Sequence, residues 1–373
     1  MRVLAINCGS SSLKYAFFET DGADERTLAR GTVDGIGQDI ADHASAVRSA
    51  LSELAGKQLP APDVVGHRIV HGGARHADPA LVDERLLASL DELVPFAPLH
   101  LPAEISAIRA VSTAWPDRPQ VACFDTAFHR TLSDVAQRYA LPEQLFGAGV
   151  RRYGFHGLSY EYVVATVGAH ALGRAVLAHL GAGASMAAVR DGRAVDTTMG
   201  FTPAGGLVMA TRPGDLDPGL LVYLLNQGFD ARSLDDLVNH RSGMLALSGG
   251  TGDVRELLSL RDRDARAKRA LDGFAWSARK WVGAMAATLG GMDTLVFTGG
   301  IGEHAAEVRA AIADGLDHLG VRLDRDRNAH HGPVISLDGC PCVVRVVHTD
   351  EERMVARHAG NVVAAMVPSA ASR

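Results

Sequence analysis

Cysteine and lysine are both scarce in this chain. Cys8, Cys123, Cys340 and Cys342 make neither a zinc-ligand spacing nor the framework of a disulfide scaffold. Reduced, structural thiols are the expectation, and with them a cytoplasmic location. Lys14, Lys57, Lys268 and Lys280 are the only lysines, and the formal net charge is −6. No basic field exists to draw in nucleic acid or an acidic membrane, so an anionic substrate must be caught by locally placed cations. No apolar run approaches the length of a membrane span, and the opening strand leaves no room for a secretory leader; neither is expected. A Walker A loop, a protein-kinase catalytic loop, a nucleophile elbow and a His-Glu-x-x-His helix are also missing, which removes several mechanisms at once.

What the chain does have is length and a repeat. Its 373 residues, 47% hydrophobic and 21% charged, suit two globular domains. A strand at 2–6 breaks into Asn7-Cys8-Gly9-Ser10-Ser11-Ser12 and resumes at 13–18. The device recurs at 175–180, Gly181-Ala182-Gly183-Ala184-Ser185 and 186–190, and both copies begin Val-Leu-Ala. Both turns place glycine where a hairpin needs positive φ or the close approach of another group, and such turns leave backbone N–H groups bare for an anion such as phosphate. A nucleotide held between two related domains is one reading; two ordinary hairpins is the other.

The rest of the first half reads as a strand near 28–33, a helix at 42–55, a strand at 63–70, helices at 83–94 and 103–113, and a strand at 120–124. A helix at 158–170 leads to the second hairpin and a strand at 193–197. Beyond a Gly/Pro-rich excursion at 199–218 come helices at 219–226, 234–240 and about 262–289. A buried strand at 294–297 ends in Thr298-Gly299-Gly300-Ile301-Gly302, and Glu303 is expected to open a helix. The strand at 343–347 feeds a last helix with Thr349 as N-cap and Glu352 at its third position. Two halves that each open with three strands and then alternate predict mixed sheets flanked by helices.

The chemistry sits at the strand ends, where open α/β sheets place ligands. Arg68 lies in an apolar strand before Gly72-Gly73, where it either pairs internally or grips a carboxylate or phosphate. Asp125 ends a strand as a metal ligand or a turn cap. His156 lies between glycines, a loop setting that favours function. Arg212 occupies a rigid turn before Pro213-Gly214. Gly299–Glu303 offers a glycine turn at a helix start, and Glu351 is either a helix-dipole acid or a metal ligand. Together these are the parts of phosphoryl transfer, which asks a protein to position reactants and offset charge.

Asn7–Lys14, His67–Gly73, Ala97–His100, Phe124–His129, Arg152–Gly157, Asp196–Pro203 and Phe297–Glu303 closely resemble the acetate kinase family, of the actin/Hsp70/sugar-kinase superfamily, in consistent order from about residue 3 to 358. The resemblance implies an α/β fold of two related ribonuclease-H-like domains with mixed sheets flanked by helices and an active-site cleft between them. The implied N-terminal domain is 1–130 plus 353–373 and the nucleotide-binding domain 131–352. The implied reaction is ATP + acetate ⇌ acetyl phosphate + ADP by direct in-line transfer, with Mg2+, or Mn2+, in a cytoplasmic homodimer that binds neither nucleic acid nor membrane. Carried over by residue, Asn7 and Glu351 correspond to metal positions, Lys14 to an ATP contact, and Arg68 to the carboxylate ligand. Asp125, His156 and Arg212 correspond to the catalytic groups, and Val70, Leu99, Phe155 and Pro203 to the pocket for the methyl group. His179, Leu180, Gly181, Ala182 and Gly183 would embrace the nucleotide, with Asp253, Val254, Arg255, Gly300, Ile301, Gly302, Glu303 and His304.

The chain departs from that family where Ala182 and His304 replace the usual Asn, Pro213 a small residue, Tyr160 a His and Leu101 an Asn. The nucleotide shell is altered while the in-line residues persist, so changed ATP affinity or donor preference is expected. A propionate or short-chain acyl kinase, and a weakened ATP-binding regulatory homologue, are the alternatives.

Overall fold

The computed structural model describes residues 1–9, 11–21 and 25–366; Ser10 of the first turn and residues 367–373 of the expected N-terminal domain lie outside the described residues. The chain divides into two compact units. One comprises Met1–Phe128, Gly157–Tyr162 and the chain from Asp350 on; the other comprises His129–His156 and Val163–Thr349. Gly157–Tyr162, Asp350–Glu352 and His129–Arg130 thus lie on the other side of the expected boundary. Close packing explains the first of these: a side chain at Gly157 would run into the Asp125 carbonyl, and Leu158 joins the first unit's core.

In the first unit β1 (Arg2–Cys8), β2 (Ser12–Thr20), β3 (Glu25–Asp34), β4 (Val64–Ile69), β5 (Ala80–Leu81) and β6 (Gln120–Phe124) form one sheet in the order β3-β2-β1-β4-β6-β5. β1 is antiparallel to β2 and parallel to β4, which is parallel to β6. Strand alternation sorts the side chains. Leu4, Ile6 and Cys8 face a core shared with Ala46, Val47 and Val111, while Val3 and Ala5 face Val355, Ala356 and Ala359 of the last helix. The helices His43–Gly56 and Glu84–Leu93 start where Asp42 and Asp83 each accept an N–H from the third residue on.

The second unit repeats the plan. β7 (Arg174–Leu180), β8 (Ala184–Arg190), β9 (Arg193–Thr197), β10 (Thr294–Thr298) and β11 (Val343–Val346) lie in the order β11-β10-β7-β8-β9. The opening three strands are antiparallel, and β10 is parallel to both β7 and β11. The mixed sheets and helical layers of the expected fold class are therefore present in both units. The long helix Ala265–Leu289 buries Phe274, Val282 and Met285 beneath the sheet.

Local differences from expectation have local causes. The helix after β10 begins at Gly299, not Glu303, and ends at His304. The expected helix at 158–170 divides at Gly168, whose φ of 87° leaves the helical region. The last helix begins at Glu351 and not after a Thr349 cap, with Asp350 Oδ1 accepting from the Arg353 N–H at 3.0 Å. Neither hairpin turn uses positive φ at Gly9, Gly181 or Gly183; close approach is the reason for glycine at Gly183, as the site makes plain.

Candidate active site

Each unit carries one charged centre at the tip of its first hairpin. In the first unit, β4 places Arg68 beside Asp125 at the end of β6, with Arg68 Nη2 donating to Asp125 Oδ2 at 2.6 Å. Nη1 reaches Asn7 Oδ1 at 3.4 Å, and Nε lies 3.7 Å from Glu351 Oε2. Asn7 Nδ2 in turn donates to Glu351 Oε2 at 3.3 Å and Glu352 Oε1 at 3.4 Å. Lys14 is the direct register partner of Asn7 across the hairpin and is exposed. Asp125 is completely buried, and its carbonyl and Oδ1 accept from the Gly157 and Leu158 N–H groups.

Burial and charge compete here. Burial opposes the Arg68 cation, but Asp125, Glu351 and Glu104 outweigh it and hold the guanidinium above the usual arginine range. Burial drives Glu351 up to about 7, with Arg68 and Lys14 opposing and Asp125 and Glu352 reinforcing. The donors around Arg68 are the carboxylate oxygens of Asp125 and Glu351 and the amide oxygen of Asn7. That set fits a hard divalent cation such as Mg2+.

Glu104 is one residue that sequence reasoning missed. It sits in the first turn of the helix Leu101–Ala114, where it looks like an ordinary helix-dipole acid. It is instead only 1% exposed, and both its oxygens accept from the Val70 N–H, at 3.0 and 3.2 Å. Burial raises its carboxyl to about 8, against the pull of Arg68 and the Val70 N–H and with a push from Asp125. Val70, buried just beyond β4, is thereby fixed by its backbone, while Leu99 is 40% exposed.

In the second unit, His156 adopts a left-handed conformation, φ 59° and ψ 27°, ahead of the helix Gly157–Val167. Its Nδ1 is hydrogen-bonded to Ser185 Oγ at 2.8 Å, and its ring stacks on His179 with centroids 4.2 Å apart. Ser185 was not singled out from sequence; its register opposite His179 across the β7–β8 hairpin is the signal that finds it. A side chain at Gly183 would begin 2.9 Å from Arg212 Nη2 and 3.5 Å from His156 Nε2. Two cationic or proton-bearing groups thus converge over a space that only glycine leaves open. Arg212 Nη1 donates to Pro203 O at 2.7 Å, and burial lowers the guanidinium below its usual value. The Phe155 carbonyl accepts from His129 Nε2 at 3.0 Å.

The glycine turns meet at the ends of β7 and β10. A side chain at Gly299, φ 76°, would press on Leu180 O at 2.8 Å and His179 Nε2 at 3.1 Å. Ala182 O accepts from Ala210 N at 3.0 Å, and Gly252 packs on the Ala210 carbonyl, which draws 179–183 and the Asp253 turn together. Asp253 caps the helix Val254–Leu260 and pairs with the outward-facing Arg255 at 2.6 Å. Gly300, Ile301 and Gly302 belong to the helix Gly299–His304. Glu303 turns inward to accept from the Gly299 and Thr349 N–H groups, and His304 is exposed.

A sequence model of the Acetokinase family matches residues 2–357. The acetate kinase of Nitrobacter hamburgensis is 44% identical over 95% of each chain, and that of an Arthrobacter species is 44% identical over 97% of this chain and 99% of its own. Among solved structures, Porphyromonas gingivalis acetate kinase superposes with a TM-score of 0.88 at 36% identity, covering 97% of this chain and 99% of that one. A propionate kinase from Francisella tularensis gives 0.90 at 33% identity over 96% and 99%. Fold and likeness together define a phosphotransferase whose acceptor is a carboxyl group. The chain belongs to the acetokinase family.

Proposed function

We propose that this chain is an acetate kinase, transferring the γ-phosphoryl group of ATP to acetate and running the reverse reaction from acetyl phosphate and ADP. An acetate oxygen attacks the γ-phosphorus as the bond to the β–γ bridging oxygen breaks, and ADP leaves with the electron pair. Arg68 would take the acetate carboxylate, exchanging its longer hydrogen bond, the 3.4 Å reach to Asn7, for the substrate. Asp125, fixed on the opposite side of the guanidinium, would orient the acid, and Val70 and Leu99, with Phe155 and Pro203, would take its methyl group. Asn7 and Glu351 would hold Mg2+, which offsets phosphate charge when bound. His156 and Arg212 would stabilise the transferring group. Lys14, the 179–183 turn, Asp253–Arg255 and Gly300–His304 would hold the nucleotide.

The observation that carries this reading is the convergence of Arg212 and His156 over Gly183, since preorganised donors around an open backbone turn suit a phosphoryl group. The Ala182 carbonyl, held by Ala210, supports a turn that keeps its shape without a polar tip and speaks against a disabled regulator. Trapping acyl phosphate with hydroxylamine, using Mg2+, ATP and either acetate or propionate, tests the proposal. Absence of acyl phosphate from both acids, in both directions, would sink it. A propionate kinase is the second reading, favoured by the Francisella likeness. One methylene in an apolar pocket changes kcat/KM by only about 1–3 kcal/mol, so the ratio for the two acids decides.

A cytoplasmic homodimer completes the proposal. The helix Pro218–Asn226 buries none of its residues and exposes Leu220, Val222, Tyr223 and Leu225, an apolar face suited to a second copy. Sedimentation at micromolar concentration should find two chains; a monomer throughout would refute that part alone. Among the described residues no helix is long and apolar enough to cross a membrane.

A further inference from the structure

Parallel pairing of β10 with β11 brings two segments side by side beyond the strand ends: the helix Gly299–His304 and the stretch after Val346. Glu303 is the pivot. Its Oε1 accepts from the Gly299 N–H at 2.9 Å and the Thr349 N–H at 3.0 Å, which leaves Oε2 held in one direction. Facing that oxygen are His348 Nδ1 at 2.7 Å and His304 Nε2 at 3.8 Å. All three ligand atoms lie within 4.8 Å of one another.

A tetrahedral zinc ion with bonds of about 2.0–2.2 Å needs its ligand atoms about 3.4 Å apart. The two measured separations bracket that value. The carboxylate is only 10% exposed while the imidazoles are 67% and 68% exposed, so a fixed anionic ligand is paired with two rings free to adjust. One carboxylate oxygen anchored by backbone while the other faces the ligands is the outer-shell support that metal sites require. His331 lines the same place, but its Nδ1 is joined to Arg309 Nη2 at 3.0 Å, which leaves its other nitrogen protonated and the ring a wall.

We propose that Glu303, His304 and His348 form a binding site for a borderline transition-metal cation of the Zn2+ type. Imidazole ligands favour such ions over Mg2+, so the site is separate in chemistry from the oxygen donors around Arg68. Binding replaces the proton shared by His348 and Glu303 with the cation. Glu303 and His304 also lie in the stretch proposed above for the nucleotide, so the cation is titrated without nucleotide.

The test is calorimetric titration of Zn2+ into chelator-stripped, full-length protein in excess Mg2+, repeated by visible spectroscopy with Co2+. One Zn2+ per chain is expected, weakened at least tenfold in His348→Gln and in His304→Asn and unchanged in Cys340→Ser/Cys342→Ser. The Co2+ complex should show a ligand-field band without a sulfur charge-transfer band. Both histidine variants replace exposed side chains, and unchanged melting temperatures check that they fold. No uptake by the wild type, uptake unaltered in both histidine variants, or a sulfur band lost with the cysteines would each overturn the proposal.

Discussion

The two hairpin tips share a topology and differ in chemistry. At the first, Asn7 and its register partner Lys14 lead into a lattice of acidic and basic groups, Arg68, Asp125 and Glu351, in which nearly every contact is between polar side chains. At the second, the turn itself is Gly181-Ala182-Gly183, and Arg212 and His156 stand over bare backbone. The members of a charged lattice balance one another, so removing one unbalances the others. At the second, Arg212 and His156 rest on neutral partners, Pro203 O and Ser185 Oγ, and burial lowers Arg212. Duplicated architecture has thus been filled with opposite electrostatic strategies.

The contrast is most sharply broken by Arg68→Ala. Asp125, Glu351 and Glu104 would then share a buried site without a cation, so kcat/KM for acetate should fall by at least about 10³-fold, with a stability loss of about 3–5 kcal/mol. Steady-state kinetics beside thermal melting reads both, and an unaltered melting temperature would contradict the lattice. Arg212→Ala should lower kcat by about 10²–10³-fold with little change in melting, because no buried carboxylate depends on it. Gly183→Ala pushes a methyl group to within 2.9 Å of Arg212 Nη2 and should cost up to about 10²-fold in kcat without touching acetate affinity. Ala182→Asn gives the second tip a polar group like the first; a single hydrogen bond of about 0.5–1.5 kcal/mol should lower KM for ATP roughly 2–10-fold.

A separate effect, read in stability and not in turnover, concerns Glu104. Its carboxyl titrates near 8 when folded against an ordinary 4.5, so the folded chain holds a proton that the unfolded chain has lost. Stability is favoured below about pH 4.5 and declines as pH rises towards 8. Melting temperatures across that window should fall less in Glu104→Gln than in the wild type; parallel curves would show that this carboxyl does not titrate as described.

Much of this was legible in the sequence because it rests on local pattern. Apolar runs between turn residues located β1 and β6, the repeated hairpin order located β9, and the helices expected at 42–55 and 83–94 begin beside Asp42 and Asp83, whose caps act within three residues. Motif spacing singled out Arg68, Asp125, His156 and Arg212. The missed features depend on register or burial. Glu104 and Ser185 take their meaning from Val70 and His156, far away in the chain. His348 gains interest only because β11 pairs with β10. The start of the last helix was misjudged because Thr349 and Asp350 are both good caps, and the choice between them is made by Glu303, which holds the Thr349 N–H.

The last helix, Glu351–Met366, packs so closely on the first unit's sheet that a side chain at Gly66 would begin 2.6 Å from Val355 Cγ1. Met354, Val355, Ala356 and Ala359 complete the core on that face. During synthesis, therefore, the unit that begins first must finish last. Its sheet waits with one apolar face uncovered while the whole of 163–349 emerges and can fold as a continuous stretch, the reverse of the usual order on the ribosome. Glu351 arrives with that closing helix, so the charged centre around Arg68 is completed only after 163–349 has been made. A chain truncated after 349 should lose protease resistance in its first unit and keep it in its second.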